Sequence, residues 1–403
     1  MILLSPEELV PGQVIARDIV NPAMPQMTLL RTGHELTHRT INALSRYRSE
    51  GVWVVDKDLA TVDLLINEEA ERTLREITVQ SYALWSAMEH APESEIPVKP
   101  FEIMVEDTLA LLRRIDLTLF PWVGNFSGEV FFGAHPAYVC LLGLALYRKC
   151  DKYIDEAFPG EVQPRRIASL LGMGALLHDI GNLQVPRNLL MELDTLTPSQ
   201  MEDVRLHTEH GYKMLHDSAG AHPALCALHH HQNYDGSGYP KRRSGDDDRP
   251  LAGHRIPVCA RLVSVVDTYV TLTSARPYSD PVPSFVAVAF IRQKAGVLFD
   301  PALAQGLLEL VPPYLPGRRV TLSNGCQAVV VSITPDRPDQ PVVRTVIDPK
   351  GQWLPENRRE DHALALREDI TITAYQGAPI RRGNSISGRF TKEGPADAKS
   401  DGT

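Results

Sequence analysis

The chain has few cysteines, and their arrangement favours neither a disulfide-stabilised fold nor a zinc ribbon. Five cysteines are scattered over 403 residues, and no Cys-x-x-Cys spacing occurs among them. Disulfide frameworks and zinc ribbons need paired cysteines at characteristic spacings. We therefore expect reduced thiols, as in a cytoplasmic protein.

A signal for export and a membrane span are also lacking. The first ten residues, MILLSPEELV, contain no basic region and no apolar stretch of signal-peptide length. The most apolar segment, 130–147, contains His135 and Pro136 near its start. A membrane span needs about 20 predominantly apolar residues. The sequence therefore predicts a buried helix in this segment and a soluble, cytoplasmic protein.

Positive charge is not in excess. Lysine and arginine number 41, aspartate and glutamate number 50, and the net charge is −9. This balance argues against a broad basic surface for DNA, and we expect neither a nucleic acid nor a membrane as partner. The composition, 43% hydrophobic and 23% charged, is that of a globular protein of two or three domains. It excludes a collagen, a coiled-coil rod and a wholly disordered chain.

Hydrophobic periodicity divides the chain into segments of different character. Most of it is predicted to be helical, so the expected fold class is mainly α, with a small α+β N-terminal module and a small β C-terminal appendage. Asn324-Gly325 predicts the turn of a hairpin in that appendage, and further strands are predicted near 342–347 and 370–373. The predicted division is 1–56 for the α+β module, 57–125 for a helical linker region, 126–312 for a large helical domain, 313–376 for the β appendage and 377–403 for a disordered tail.

Histidine is concentrated in the large helical domain, where nine of the 14 histidines fall between His178 and His254. Taken singly, His135 would be a helix cap or a satisfied core histidine, and Asp267 would be an N-cap or part of a buried pair. Taken together, such buried polar groups are best satisfied around metal ions. The elements that could supply ligands are His135, His178-Asp179, His207, His230-His231 and Asp267.

The mixture of ligand types limits which metal ions the site is expected to bind. Imidazole and carboxylate ligands together suit Fe, Mn, Zn, Ni or Co, and do not suit a calcium site. Six or seven ligands exceed what one tetrahedral zinc uses, so we expect two ions that share a bridging carboxylate. Paired ions about 3.5–4 Å apart serve in-line displacement at phosphorus. The residues alone predict a dinuclear metal hydrolase that acts on a phosphate ester.

The order of the motifs resembles that of the HD-GYP family, a branch of the HD-domain phosphohydrolases. His178-Asp179 with Gly181 resembles the HD motif. The segment from His230 to Pro240 resembles the HHExxDGxGYP signature. The resemblance covers about 130–310, and its further matches are Pro186, Leu196-Thr197, Arg261 with Asp267, 272–278 and Phe299-Asp300-Pro301.

The resemblance implies an all-helical HD-type metal-binding domain that hydrolyses cyclic di-GMP to pGpG, GMP or both, by attack of metal-bound hydroxide on phosphorus. His178 and Asp179 would be catalytic, and Asp179 would bridge the ions. Phe131 stands where some members carry a glutamate for a third metal, so two divalent ions, Fe or Mn, are expected. The implied metal ligands are His135, His178, Asp179, His207, His230, His231 and Asp267.

Three departures from the family pattern affect the implied site. Asn182 replaces a lysine, Gln232 replaces a glutamate, and Val270-Thr271 replace acidic and small residues. A lost charged contact to a phosphate costs on the order of 1–3 kcal/mol. The expected substrate contacts are then Arg276, Asn182, Tyr239 and Gly238, and Lys241, Arg242 and Arg243 either compensate for the lost charge or form a solvated loop.

Gly238, Tyr239 and Pro240 are expected to form a rigid exposed loop, which the resemblance associates with contacts to GGDEF-domain proteins. Two other functions stay open beside hydrolysis of cyclic di-GMP. One is a protein that binds cyclic di-GMP and signals through partners with weak or no turnover. The other is an HD hydrolase for another nucleotide.

Overall fold

The structure is a computed structural model that describes residues 1–21, 24–45, 51–64, 68–90, 95–115, 130–158, 160, 162–241, 251–276, 281–334 and 337–380. Arg242 and Arg243 lie outside these residues. So do 381–403 of the predicted tail and parts of the segment predicted as a linker.

Helices dominate the described chain, which confirms the mainly α fold class. A 3-10 turn, Ile180–Gln184, follows the seventh helix. The α-helices are α1 His38–Leu44, α2 Ala60–Leu64, α3 Glu68–His90, α4 Val98–Leu112, α5 Val130–Lys149, α6 Asp151–Ala157, α7 Pro164–Leu177, α8 Arg187–Met191, α9 Pro198–Arg205, α10 His207–His216, α11 Ala221–His229, α12 Val258–Thr273, α13 Ser284–Lys294 and α14 Pro301–Leu310.

The core of the helical region is built around α5, whose side chains are buried from Ala134 almost without interruption to Tyr147. This continuous burial arises because α3, α4, α7, α12 and α14 all pack against α5. Phe101 and Met104 of α4 lie in the same core. The segment predicted as a linker therefore contributes helices to the core. Among the described helices, none is long and apolar enough to cross a lipid bilayer.

Strands occur at both ends of the chain. The strands are β1 Ile2–Leu4, β2 Ile19–Asn21, β3 Met24–Leu30, β4 Val52–Val54, β5 Arg319–Leu322, β6 Gln327–Ser332, β7 Val342–Ile347, β8 Asp361–Ala363, β9 Ile372–Tyr375 and β10 Ala378–Pro379. β1 pairs with β4 and β2 with β3, while the last six strands form one sheet in the order β10-β9-β5-β6-β7-β8. Every pair in these sheets is antiparallel.

The predicted hairpin is confirmed. β5 and β6 pair with Thr321 opposite Gln327, and Gly325 occupies the turn with φ +84°. This φ favours glycine because a side chain is strained there. The strand predicted at 370–373 begins two residues later, at Ile372. Thr371, just before the strand, still contacts Ser323. The Ser323 amide donates to the Thr371 carbonyl, and the Thr371 amide donates to the Ser323 hydroxyl.

The N-terminal module and the C-terminal sheet share one hydrophobic core. Val329 and Val331 of β6 pack in it with Ile2 and Val54, while Val330, on the other face of β6, packs in a separate core with Phe285. A strand covered on both faces reads as a continuous apolar run, as 328–331 does. Hydrophobic patterning does not identify which distant segment covers each face of a strand. The packing of the N-terminal module on the C-terminal sheet was therefore not predicted.

Ion pairs reinforce the contact between the two ends of the chain. Arg319 lies 2.5 Å from Glu8, and the Arg359 guanidinium lies 2.9 Å from the Asp56 carboxylate. Arg344 donates to the carbonyl and the carboxylate of Asp58. The two segments form one packed unit, although they are separated by the whole helical region.

The predicted boundary of the disordered tail at Gly377 is wrong by a few residues. Ala378 and Pro379 form β10, which pairs with Tyr375 and Ala374 of β9. A tight turn at Gln376-Gly377, both with positive φ, reverses the chain and makes this pairing possible.

Candidate metal centre

The His178-Asp179 pair lies where α7 ends and the chain turns sharply. α7 ends because the apolar run of its sequence ends at Leu177, and His178 forms its C-cap. Nδ1 of His178 donates to the carbonyl of Ala175 at 2.8 Å, and the His178 side chain is completely buried. Asp179 then begins the 3-10 turn with its side chain 26% exposed.

Gly181 allows this turn to sit against the start of α10. A Cβ atom at position 181 would lie 1.8 Å from the carbonyl oxygen of His207 and 2.5 Å from the amide nitrogen of Gly211. No side chain fits such a gap, so the glycine of the motif is required by packing. It brings Asp179 beside His207.

His207 and His230 are oriented in the same way as His178. Nδ1 of His207 donates to the carbonyl of Val204 at 2.8 Å, and Nδ1 of His230 donates to that of Ala227 at 2.9 Å. Each carbonyl belongs to the residue three positions earlier. A carbonyl can only accept, so Nδ1 carries a proton, and in a neutral ring the lone pair sits on Nε2. Each of the three imidazoles, when neutral, therefore presents an acceptor to the centre of the site.

The structure brings together all seven residues that the sequence singles out. Potential ligand atoms fall into two groups, and within each group they lie within 4.8 Å of one another. The four-residue group is Asp179, His207, His230 and His231, and the three-residue group is His135, His178 and Asp267.

Asp179 connects the two groups. Its Oδ2 lies 3.4 Å from Nε2 of His178, while its Oδ1 lies 3.4 Å from Nε2 of His207 and 3.5 Å from Nε2 of His230. The two carboxylate oxygens thus face different groups. This is the arrangement that a bridging carboxylate requires.

The four-residue group holds acceptors that face one another. Nε2 of His207 and Nε2 of His230 lie 3.4 Å apart, and both histidines are buried. Because both protons are on Nδ1, two lone pairs and the Asp179 carboxylate converge. Neutral imidazole and carboxylate groups are ligands of divalent transition metals, so the residues fit a metal ion.

The carboxylates and imidazoles of the site shift one another's pKa values. Burial lowers the pKa of His207 to about 4, so its imidazole is neutral at pH 7. Burial also acts to lower the pKa of His178, but the Asp179 and Asp267 carboxylates outweigh it and raise this pKa to about 9. Burial acts to raise the pKa of Asp179, yet His178 and the other imidazoles hold it well below its usual range. The site stabilises a carboxylate and a positive charge next to it.

In the three-residue group, His135 from α5 meets Asp267 from α12. Nε2 of His135 lies 3.0 Å from Oδ1 of Asp267, and both residues are buried. Thr271, one turn later on α12, donates to the same Oδ1 at 3.1 Å. Phe131 stacks on the His135 ring with centroids 4.8 Å apart. Thr271 thus orients the carboxylate, a role that the sequence did not reveal.

The loop of Gly238, Tyr239 and Pro240 is partly buried, and the prediction that it is exposed is wrong. Gly238 is buried, and Tyr239 and Pro240 are half-buried. The Tyr239 ring stacks on the His231 ring with centroids 4.7 Å apart and planes inclined by 25°. The loop folds back because the amide of Tyr239 donates to the carbonyl of His231 at 3.2 Å.

The remaining predicted site residues lie outside the two groups. Asn182 is half-buried in the 3-10 turn, three residues after Asp179. Arg276 is half-buried just beyond the end of α12, and Lys241 is exposed. His229, next to the paired histidines in sequence, is buried. The substrate contacts of Asn182 and Arg276 stay predictions.

Two further motif residues meet in a buried ion pair. Arg261 of α12 donates to the carboxylate of Asp300, and both side chains are buried. Asp300 also caps α14 by accepting from the amide of Ala302 at 2.9 Å, and it accepts from the Tyr153 hydroxyl at 2.5 Å. This pair ties the helix that carries Asp267 to α14.

Comparison with known proteins identifies two domains in the chain. Residues 163–303 match the HD domain, and residues 319–371 match the KOW domain associated with HD domain. The first match contains six of the seven candidate ligands, namely His178, Asp179, His207, His230, His231 and Asp267.

Three characterised relatives share this region. The chain is 37% identical over 142 residues to the cyclic di-GMP phosphodiesterase response regulator RpfG of Xanthomonas campestris, covering 34% of this chain and 35% of the relative. It is 30% identical over 230 residues to the cyclic di-GMP phosphodiesterase PA4108 of Pseudomonas aeruginosa, covering 57% and 51%. It is 33% identical over 223 residues to the 3'3'-cGAMP-specific phosphodiesterase 1 of Vibrio cholerae, covering 53% and 46%.

The chain therefore spans between 35% and 51% of the length of these relatives. The matched part contains the HD pair, the paired histidines and the Gly-Tyr-Pro segment together. The chain thus carries an HD domain, and its motifs resemble those of the HD-GYP family.

Proposed function

We propose that this protein is a metal-dependent phosphodiesterase that hydrolyses cyclic di-GMP to pGpG, GMP or both in the cytoplasm. The observation that carries the proposal is the convergence of the His207 and His230 imidazoles on Asp179, a set of donors that fits a divalent metal ion. Relatives that carry the same domain are named as cyclic di-GMP phosphodiesterases, which supports the substrate. The catalytic unit would cover the predicted domain at 126–312.

Each group of ligands would hold one divalent ion. Asp179, His207, His230 and His231 would hold the first, His135, His178 and Asp267 would hold the second, and Asp179 would contact both. Mixed imidazole and carboxylate ligation in such a site suits Fe or Mn. Bound ions of this kind activate water and neutralise the charge that develops on a phosphate.

The protein's own residues would position the substrate. Asp179 and His231 are the members of the centre that are not fully buried, so the phosphate would approach from their side. Arg276 would provide a positive charge to a phosphate oxygen, and Asn182 would provide a neutral hydrogen bond in place of the usual lysine. Tyr239 and Gly238 would form the wall of the site on the His231 side.

A second function, binding of cyclic di-GMP with little turnover, is favoured by the same two departures. Asn182 lacks the charge of the family lysine, and Gln232 is directed to the carbonyl of Pro240. Such a protein would signal through partners, and GGDEF-domain proteins would contact the Gly238-Tyr239-Pro240 loop. Because this loop is half-buried, the contact would involve its rim.

The test is hydrolysis of cyclic di-GMP by protein that is purified without oxygen and loaded with Fe²⁺ or Mn²⁺. Products are separated by chromatography, and 3'3'-cGAMP is assayed in parallel as the alternative substrate. His178→Ala/Asp179→Ala removes one ligand from each group, whereas His216→Ala removes an exposed histidine outside both groups. We expect metal-dependent product from wild type and His216→Ala and none from the double variant. Binding of cyclic di-GMP without product would favour the second function.

A further inference from the structure

We infer that Tyr239 is a positioning residue that holds the His231 imidazole in the metal centre, and that Gln232 fastens the loop that carries it. This inference rests on the proposed metal centre and assigns roles to two residues that are not themselves ligands in that centre. Its consequence is that loosening the loop weakens one metal ion selectively.

His231 is held by aromatic contacts. Its ring stacks on that of Tyr239, and the His207 ring stands perpendicular to both, with centroids 5.1 Å from His231 and 6.3 Å from Tyr239. His231 follows α11, which ends at His229, so it lies in non-helical chain. The His230 ring lies on the His231 ring as well, with centroids 4.1 Å apart and planes inclined by 45°. Tyr239 is the one of these three rings that does not belong to a proposed ligand, and it is nearly parallel to the imidazole.

Arg205 covers the Tyr239 ring. Its guanidinium carbon lies 5.2 Å from the ring centroid, in a cation–π contact, and its Nη1 donates to Glu202 at 2.6 Å. Arg205 comes two residues before His207. Arg205 and His231 thus both pack on Tyr239, which restricts the movement of the ring relative to the centre.

Backbone contacts hold the loop against the segment that carries His231. The amide of Tyr239 donates to the carbonyl of His231 at 3.2 Å. A Cβ atom at Gly238 would lie 2.2 Å from the same carbonyl oxygen and 2.5 Å from the amide nitrogen of Asn233. Only glycine permits this close approach, so Gly238 sets the distance between Tyr239 and His231.

Gln232 closes the loop at its far end. Its side-chain amide donates to the carbonyl of Pro240, and the side chain is 3% exposed. A glutamate, the usual family residue here, has no N–H and would place a carboxylate against a carbonyl oxygen. Gln232 is therefore suited to a hydrogen bond that the usual residue cannot make. Gln232 therefore lacks the charge of the usual glutamate but provides a hydrogen-bond donor that holds the loop in place.

The experiment compares metal binding by full-length variants. The metal-free protein is titrated with Mn²⁺ in competition with a chromophoric chelator, which gives the number of ions and the affinity of each. Tyr239→Leu removes the ring, Gln232→Leu removes the amide donor, and Tyr239→Phe is the matched control that retains the stacked ring. His135→Ala serves as a reference in which the three-residue group is impaired. Far-UV circular dichroism confirms that each variant is folded.

We expect Tyr239→Leu and Gln232→Leu to weaken one ion by roughly 10- to 100-fold, as loss of ligand-orienting contacts does, and to leave the other unchanged. Tyr239→Phe should bind both ions as wild type does. In the His135→Ala background, Tyr239→Leu should weaken the ion that remains. Unchanged affinities in Tyr239→Leu and Gln232→Leu would overturn the inference, and so would an equal loss in Tyr239→Phe. This result is independent of turnover, so a wild-type protein that binds metal without hydrolysing cyclic di-GMP would contradict only the proposed function.

Discussion

Nε2 of His207 lies 3.4 Å from Nε2 of His230, and each of these buried rings has its proton committed to a backbone carbonyl on the opposite side. Two imidazole nitrogens and the Asp179 carboxylate thus converge, and such a set of groups suits a divalent cation. The fold holds them there because Gly181 brings the Asp179 turn against α10 and because α10 and α11 pack together. The apo site is therefore prepared for a positive charge.

Metal should stabilise the folded protein. A ligand at 100 times its dissociation constant contributes about 2.7 kcal/mol to the free energy of unfolding. We expect Mn²⁺ to raise the Tm of wild type and chelator to lower it, in thermal unfolding followed by circular dichroism. His207→Ala should reduce the shift, whereas His216→Ala should retain it. An identical shift in His207→Ala and wild type would show that the metal binds elsewhere.

The glycine of the HD motif should be irreplaceable. In Gly181→Ala the new methyl group would overlap the His207 carbonyl, so we expect loss of the metal-dependent rise in Tm together with lower stability. Gly143→Ala is the control, because its Cβ would meet the end of the Leu262 side chain at 3.1 Å, which can move. Differential scanning calorimetry with and without Mn²⁺ makes the comparison. Wild-type metal response in Gly181→Ala would refute the packing argument.

Breaking the buried Arg261–Asp300 pair should be costly. Arg261→Met leaves the Asp300 carboxylate buried without its cation, and removal of one partner of a buried pair costs about 3–5 kcal/mol. Urea denaturation measures the difference in the free energy of unfolding. Arg367→Met removes an exposed partner of Asp369 and should change nothing measurable. Equal stability of both variants would mean that the pair contributes little.

Acid should loosen the contact between the N-terminal module and the C-terminal sheet. Burial acts to raise the pKa of Glu8, but Ser5 and Arg319 lower it below its reference of 4.5. The Arg344 hydrogen bond lowers the pKa of Asp361 below 3.8. For groups with a lowered folded-state pKa, the stabilisation is present above the unfolded pKa and is lost as pH falls through the folded value.

The Tm of wild type should therefore fall as pH is lowered from about 5 to about 3. Arg344→Met removes the cause of the Asp361 shift, so its Tm should begin lower and fall less steeply. Thermal unfolding at a series of pH values provides the measurement. Parallel curves for the two proteins would rule out this ion pair as a source of the acid sensitivity.

The sequence predicted the chemical character of the site better than it predicted how the surrounding segments pack. His178, His230 and Asp267 are polar residues in apolar helices, and burial of such groups demands a partner whatever the fold. The hairpin at Asn324-Gly325 was predictable because turn type is a local property. Both inferences depend on short stretches of chain.

Contacts between distant or loop residues could not be predicted in this way. Gln232 and Pro240 are eight residues apart, and their hydrogen bond depends on how the loop folds back. Tyr239 was expected to lie in a rigid exposed loop, yet it packs between Arg205 and His231. The shared core of the two chain ends likewise joins segments that hydrophobic patterning treats separately.

The most direct test of the account is the rate of cyclic di-GMP hydrolysis measured as a function of the number of Fe²⁺ or Mn²⁺ ions bound per chain. Because Asp179 faces both groups of ligands, we predict that the rate rises mainly as the second ion binds and reaches a plateau at two ions per chain. Hydrolysis by the metal-free protein, or no product from protein that holds two ions, would contradict the account.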